Sequence, residues 1–228
     1  CRGPINMSVW QNFRISYPEK NPPFYLEPFT LEYYKDLFIK NGFITKHQNI
    51  TTIVSIDKRR IKDYINCYEQ SINEGYSYEF LSKENAVKGI QDIYFLTSQI
   101  FKDSYSFYNI SEEEFLYFTQ QYVIAQKSNY IFILKNQKKE SVGFFFAAPD
   151  IFNPKLKRIV LKTMGVLPEY RRLGLAKAMF YFIYQNAKIN RRRELIFSTM
   201  AVENKQIESL IGKSAVYRKY EVFEKNIL

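Results

Sequence analysis

Only two cysteines, Cys1 and Cys67, and one histidine, His47, occur in 228 residues. Two cysteines make neither a disulfide framework nor a metal-binding spacing. One histidine argues against a zinc centre or a Ser-His-Asp triad, so no metal is expected. Glycine and proline, eight of each, are too few for collagen or a low-complexity fibre. No apolar run reaches the ~18 residues of a membrane span. Pro4, Asn6, Ser8, Gln11 and Asn12 break any signal-peptide core, so a cytoplasmic location is expected. Acidic residues are scarce in one region. Residues 1–150 hold 17 basic and 17 acidic side chains, whereas residues 151–228 hold 16 and 6, and so carry the whole net charge of +10. Nucleic acid, an anionic membrane surface or a polyphosphate cofactor would suit that field, and so would a solvated basic face that only aids solubility.

The composition, 46% hydrophobic and 25% charged, is that of a globular protein able to bury a core without disulfides or metal. Its length fits one large domain or two small ones. The opening Cys1-Arg2-Gly3-Pro4-Ile5-Asn6 reads as the end of an element, so the chain is expected to be a fragment or processed product. Prolines 18, 22, 23 and 28 make 17–30 a loop. Helices are expected at 31–40, 58–75, 84–102, 111–122, 172–189 and 204–213. Strands are expected at 50–56, 76–81, 129–135, 141–148, 157–166, 195–200 and 217–223. This is an α/β arrangement, a mixed sheet with helices on both faces.

The informative stretch is Met164-Gly165-Val166-Leu167-Pro168-Glu169-Tyr170-Arg171-Arg172-Leu173-Gly174-Leu175-Ala176, where a strand turns into a helix. The first amides of a helix lack internal partners, and the helix dipole adds positive character there. Gly174 lets an anion approach the backbone, and Arg171 and Arg172 add charge. The bland alternative is a tight helix start without a ligand. No Walker loop is present, and the glycine spacing differs from a dinucleotide fingerprint.

Arg171-x-x-Gly174-x-Ala176 after Val-Leu-Pro-Glu-Tyr resembles the coenzyme-A signature of the GNAT acyltransferase superfamily, and residues 76–228 resemble that family in element order. The resemblance implies a GNAT-like mixed β-sheet flanked by helices, with acetyl-CoA or another acyl-CoA as co-substrate. Met164, Gly165 and Val166 would lie along the pantetheine arm. The amides of Arg172, Leu173, Gly174, Leu175 and Ala176 would hold the pyrophosphate beside Arg171. The strand Leu195–Met200 would form the other wall, followed by Asn204, for which a helix cap is the plain alternative. Tyr220 resembles the closing strand and reads as core. Gly3-Pro4-Ile5-Asn6, Asn21-Pro22-Pro23-Phe24-Tyr25 and Asn41-Gly42-Phe43 resemble the later half of a preceding repeat. The expected division is therefore a partial GNAT-like unit over 1–75 and an acyl-CoA-binding domain over 76–228, as in tandem GNAT-like proteins.

The implied reaction is direct acyl transfer to an amine, on a small molecule or peptide, in a ternary complex. The family's general acid is commonly a tyrosine in the helix after Asn204, where this chain has Ile211. Ser209 and Tyr217 are weak substitutes, and Glu203 and Asp150 weak candidates for the base, with a solvated surface carboxylate the plainer reading of both. A degenerate CoA-binding protein without turnover is one alternative. A nucleic-acid-binding module using Lys155, Lys157, Arg158 and Arg191-Arg192-Arg193 is another, although that triplet fits a helix C-terminus. The aromatics of 94–130 read mostly as core beside the acceptor.

Overall fold

The computed structural model describes residues 1–4, 13–17, 20–56, 58–105, 107–125, 130–204, 210 and 214–226. The elements in chain order are β1 (Arg2–Gly3), β2 (Ile15–Ser16), α1 (Tyr33–Lys40), β3 (Ile44–Ser55), α2 (Lys58–Asn73), β4 (Ser77–Phe80), α3 (Ala86–Ile100), α4 (Glu112–Ala125), β5 (Ile131–Lys135), β6 (Ser141–Pro149), β7 (Arg158–Val166), α5 (Leu175–Ile189), β8 (Glu194–Ala201) and β9 (Ala215–Glu224). They build the mixed sheet flanked by helices that the sequence implied. The expected helix over 204–213 falls almost wholly outside the described residues. Two compact units interleave along the chain. One comprises residues 1–54, 150–160 and 194–228; the other comprises residues 55–149 and 161–193.

In the first unit, β9 carries β1 and β2 on one side and β3 on the other, all antiparallel, and β8 is the further neighbour of β3. The last strand of the chain therefore pairs with one made some 170 residues earlier. β3 is longer than the sequence pattern gave. Its polar first half, Lys46-His47-Gln48-Asn49, is held in the ladder by β9, with His47 opposite Val222 and Asn49 opposite Tyr220. Strand propensity is context-dependent, and this is tertiary pairing overriding it.

Paired residues of adjacent strands share a face. Asn49 and Thr51 of β3 thus lie on the face of Tyr220 and Arg218 of β9, and Tyr17 and residues 21–27 are tied there. Arg218, 1% exposed, donates from Nε to Glu27 Oε1 at 2.5 Å, from Nη1 to the Tyr17 carbonyl at 3.1 Å and from Nη2 to the Asn21 carbonyl at 2.6 Å. The Glu27 carboxylate also accepts from the Tyr220 hydroxyl at 2.6 Å and the Phe24 amide at 3.1 Å. Such saturation is what allows a charge pair to sit in the interior. Asp150, read from sequence as a solvated carboxylate, is instead 2% exposed. It accepts from the Tyr25 amide and from Asn153 Nδ2, both at 3.0 Å, and anchors the same loop.

In the second unit, β4, β5 and β6 form an antiparallel run. Ile131-Phe132-Ile133-Leu134 is buried throughout, as a strand covered on both faces must be. Phe132 stacks on Phe145 across the β5–β6 pair at 5.2 Å, and Phe182 of α5 meets Phe132 and Phe80 at 5.0 Å each. Burying each such ring contributes about 1.5–3 kcal/mol. α2 packs on α5 through Tyr68, whose ring lies 4.8 Å from Tyr181. The aromatics of 94–130 are less buried than expected. Phe115 and Tyr130 are core, whereas Phe95, Tyr108 and Tyr117 are exposed.

Candidate functional site

β7 ends at Val166. Leu167 donates its amide to the Val142 carbonyl at 2.9 Å, and Pro168–Tyr170 make one 3-10 turn. Arg171 is extended, Arg172 is left-handed at φ 66°, and Gly174 is left-handed at φ 77° directly before α5. The helix thus starts at Leu175, three residues later than the sequence pattern gave. A left-handed Gly174 cannot lie inside a right-handed helix, and glycine is the residue that takes this φ without steric cost. Among the described residues, no backbone or side-chain acceptor meets the amides of Arg172 through Lys177. Arg171, Arg172 and Leu173 are exposed and Gly174 partly so. Open amides beside left-handed residues at a helix start make an anion-binding concavity.

The floor of this turn is α2. A Cβ added at Gly174 would lie 3.4 Å from Cys67 Sγ. The strand leading in is equally constrained. A Cβ on Gly165 would stand 2.7 Å from Ile100 Cγ2, and one on Gly143 of β6 would stand 2.9 Å from the Gly165 carbonyl oxygen. Gly143 thus lets the backbones of β6 and β7 approach where Met164, Gly165 and Val166 run, and Gly165 makes room for the Ile100 side chain of α3. Met164 is partly buried and Val166 is 8% exposed.

The catalytic candidates separate. Glu203 and Asn204 are exposed in the turn after β8, where the Asn204 amide donates to the Ala201 carbonyl at 3.0 Å. Ser209 and Ile211 lie outside the described residues. Tyr217 is 3% exposed. Its hydroxyl donates to the Pro22 carbonyl at 2.7 Å and accepts from Arg158 Nη1 at 3.1 Å. Burial pushes its pKa up, against the Arg158 charge. A proton so committed makes Tyr217 a tie for the proline loop, not an acid. Tyr220 is fully buried, in agreement with its reading as core. Within the basic groups, Arg158 pairs with Glu194 at 2.7 Å, and Arg192 donates to the Tyr130 hydroxyl at 3.2 Å.

The sequence reading missed a polar cluster on the face of β3 and β9. A directed file of hydrogen bonds runs from the Thr199 amide to Thr51 Oγ1 (3.1 Å), from Thr51 to the Tyr220 hydroxyl (3.1 Å), and on to Glu27. Thr199 sits in β8 at φ 51°, a left-handed conformation that a branched residue holds only when its surroundings impose it. Arg14 lies beside this file. Its Nε donates to Asn49 Oδ1 at 2.8 Å, and its Cζ stands 3.7 Å from the centre of the buried Phe13 ring. Burial pulls its pKa down to about 9, with Tyr220 opposing. Burial also lowers the His47 pKa, helped by the Arg14 charge and opposed by Glu203. The available signal was the alternation His47, Asn49, Thr51 along one strand face.

No protein-family model matches the sequence, and no curated protein matches it. Solved structures do resemble the fold. A GCN5-related N-acetyltransferase from Sphaerobacter thermophilus superposes with a TM-score of 0.59 at 13% identity, over 84% of this chain and 55% of its own. The GCN5-related glucosamine N-acetyltransferase region of a fungal multi-domain β-N-acetylglucosaminidase gives 0.58 at 11%, over 92% and 25%. A tandem GNAT protein from the clavulanic acid biosynthesis pathway gives 0.54 at 11%, over 92% and 62%. The chain thus spans about half the length of the first of these and a quarter of the second. The fold is that of the GNAT acetyltransferases, tandem members among them.

Proposed function

We propose that the protein is an acyl-CoA-dependent N-acyltransferase. The observation that carries this reading is the open turn at Gly174, with its free amides at the start of α5, in a chain of GNAT fold. The amides of Arg172, Leu173, Gly174, Leu175 and Ala176, with the Arg171 guanidinium, hold the pyrophosphate of acetyl-CoA or a related thioester. The backbone of Met164–Val166 runs along the pantetheine arm. Asn204 remains a contact on the resemblance alone. The amine nitrogen attacks the thioester carbonyl, the C–S bond breaks, the thiolate leaves, and the amine loses a proton. Positioning two reactants supplies much of such a rate without a dedicated acid. A cytoplasmic place of action and a partial GNAT-like repeat over 1–75 belong to the same reading.

Isothermal calorimetry with acetyl-CoA tests it. Saturable binding at micromolar to submillimolar ligand is expected, and no heat up to millimolar concentration overturns it. The second reading is a protein that binds CoA without turnover. It is favoured by Ile211 in place of the expected tyrosine and by the committed Tyr217 hydroxyl. Thiol release from acetyl-CoA across an amine library separates the two. A nucleic-acid role is weakened by the pairing of Arg158 and the anchoring of Arg192.

A further inference from the structure

Arg14, beside the β3–β9 polar face, has no part in the acyltransferase reading. Three observations define it. Its Nε is fixed by Asn49, a residue 2% exposed that also reaches the Thr199 carbonyl at 3.5 Å. Its plane is held against Phe13, itself 5% exposed. Among the described residues, its two Nη groups meet no acceptor and no carboxylate pairs with it. Arg218, the other guanidinium of this face, has its three nitrogens bonded and its charge matched by Glu27. An arginine oriented by a neutral amide and an aromatic ring, with its terminal fork unpaired among the described residues, is a preformed receptor for a planar oxyanion.

We propose that the Nη fork of Arg14 binds a carboxylate carried by the acceptor, so that the substrate is an amine bearing a carboxylate group. The carboxylate site stands on the geometry of Arg14, Asn49 and Phe13; its assignment to the acceptor rests on the acyltransferase reading. The fork presents two parallel donors, which match the two oxygens of a carboxylate. Among the described residues the charge to be matched is single, because Arg218 is already paired with Glu27 and burial disfavours the charged form of His47. A phosphate dianion would call for a second cation. The site also adjoins the strand that the resemblance assigns to the wall of the thioester channel, since Asn49 bridges Arg14 to Thr199 of β8.

The test uses the intact chain and three probes: propionate, its neutral analogue propionamide, and inorganic phosphate. The chain has one histidine, so the His47 imidazole signals in NMR are unambiguous reporters of the Arg14 charge, and the Arg14 Nε–Hε resonance reports directly. Propionate is expected to shift both saturably and to raise the His47 pKa, because a bound carboxylate offsets the Arg14 field. Propionamide is expected to do neither, and phosphate to bind more weakly than propionate. Arg14→Lys, which keeps charge but loses the fork, is expected to weaken propionate about ten-fold or more while leaving acetyl-CoA binding unchanged. Equal responses to propionate and propionamide overturn the proposal in the unmodified protein, as does tighter binding of phosphate. Saturating acetyl-CoA is added as a further arm. Propionate binding that persists supports a separate acceptor site, and its abolition would assign Arg14 to a CoA phosphate and overturn the proposal. Failure of acetyl-CoA to bind at all, with the propionate response intact, counts against the acyltransferase reading alone.

Discussion

Replacing Glu27 by Gln would leave the Arg218 guanidinium buried without a counter-charge, and because Tyr220 and the Phe24 amide donate to different carboxylate oxygens, the one amide oxygen can accept from only one of them. Breaking one side of a buried pair costs about 3–5 kcal/mol. Glu27→Gln is therefore expected to lower the urea midpoint by that equivalent, whereas Tyr220→Phe, which deletes one hydrogen bond to the carboxylate, costs nearer 1–2 kcal/mol. Equal effects in equilibrium unfolding would show that the charge pair is not what holds the loop. Arg14 contrasts with Arg218 in the same fold. One is saturated by carbonyls and a carboxylate and serves structure; the other is oriented but not saturated. Neither role was legible in the sequence, because each depends on partners 35 to 201 residues away.

At the scale of elements, the β7–α5 junction was legible and the start of its helix was not. Strand, turn and glycine could be read from Met164 to Ala176, but the position of the first helical residue depends on the backbone sign at Gly174. β5 was legible because four consecutive apolar residues need cover on both faces. The first half of β3 was not, because its polar residues become a strand only through β9. Gly174→Ala forces a left-handed φ on a residue with a Cβ. It is expected to cost about 1 kcal/mol of stability or somewhat more and to weaken acetyl-CoA at least several-fold, measured by calorimetry. Gly143→Ala, whose Cβ would meet backbone 2.9 Å away, is expected to cost about 1–3 kcal/mol. An unchanged acetyl-CoA affinity in the first variant would remove the turn from the binding site.

For the molecule as a whole, the division at residue 75 and the division into compact units differ in kind. The first concerns repeats along the chain; the second places residues 1–54 with 194–228. A polypeptide of residues 76–228 would lack β3, so β8 and β9 would lose the strand that both adjoin, and Arg218 and Tyr220 would lose Glu27. Such a fragment is expected to aggregate or to lack cooperative thermal unfolding by circular dichroism. A monomeric fragment with a sharp transition would show that the second segment folds unaided. The asymmetry of charge was legible from composition, but its partner was not, because a +10 segment does not say which of its cations are already paired.

β3 is synthesised some 160 residues before β9, the strand that it must lie beside. At about 5–20 residues per second, that interval is roughly ten to thirty seconds of translation. Throughout it, the edge of the nascent β3 presents bare donors and acceptors, with Thr51 and Asn49 awaiting a tyrosine not yet made. Pairings of such long separation are also slow to close. Completion of the β3 ladder thus waits on β9, and until then shielding of that edge falls to the ribosome and its chaperones.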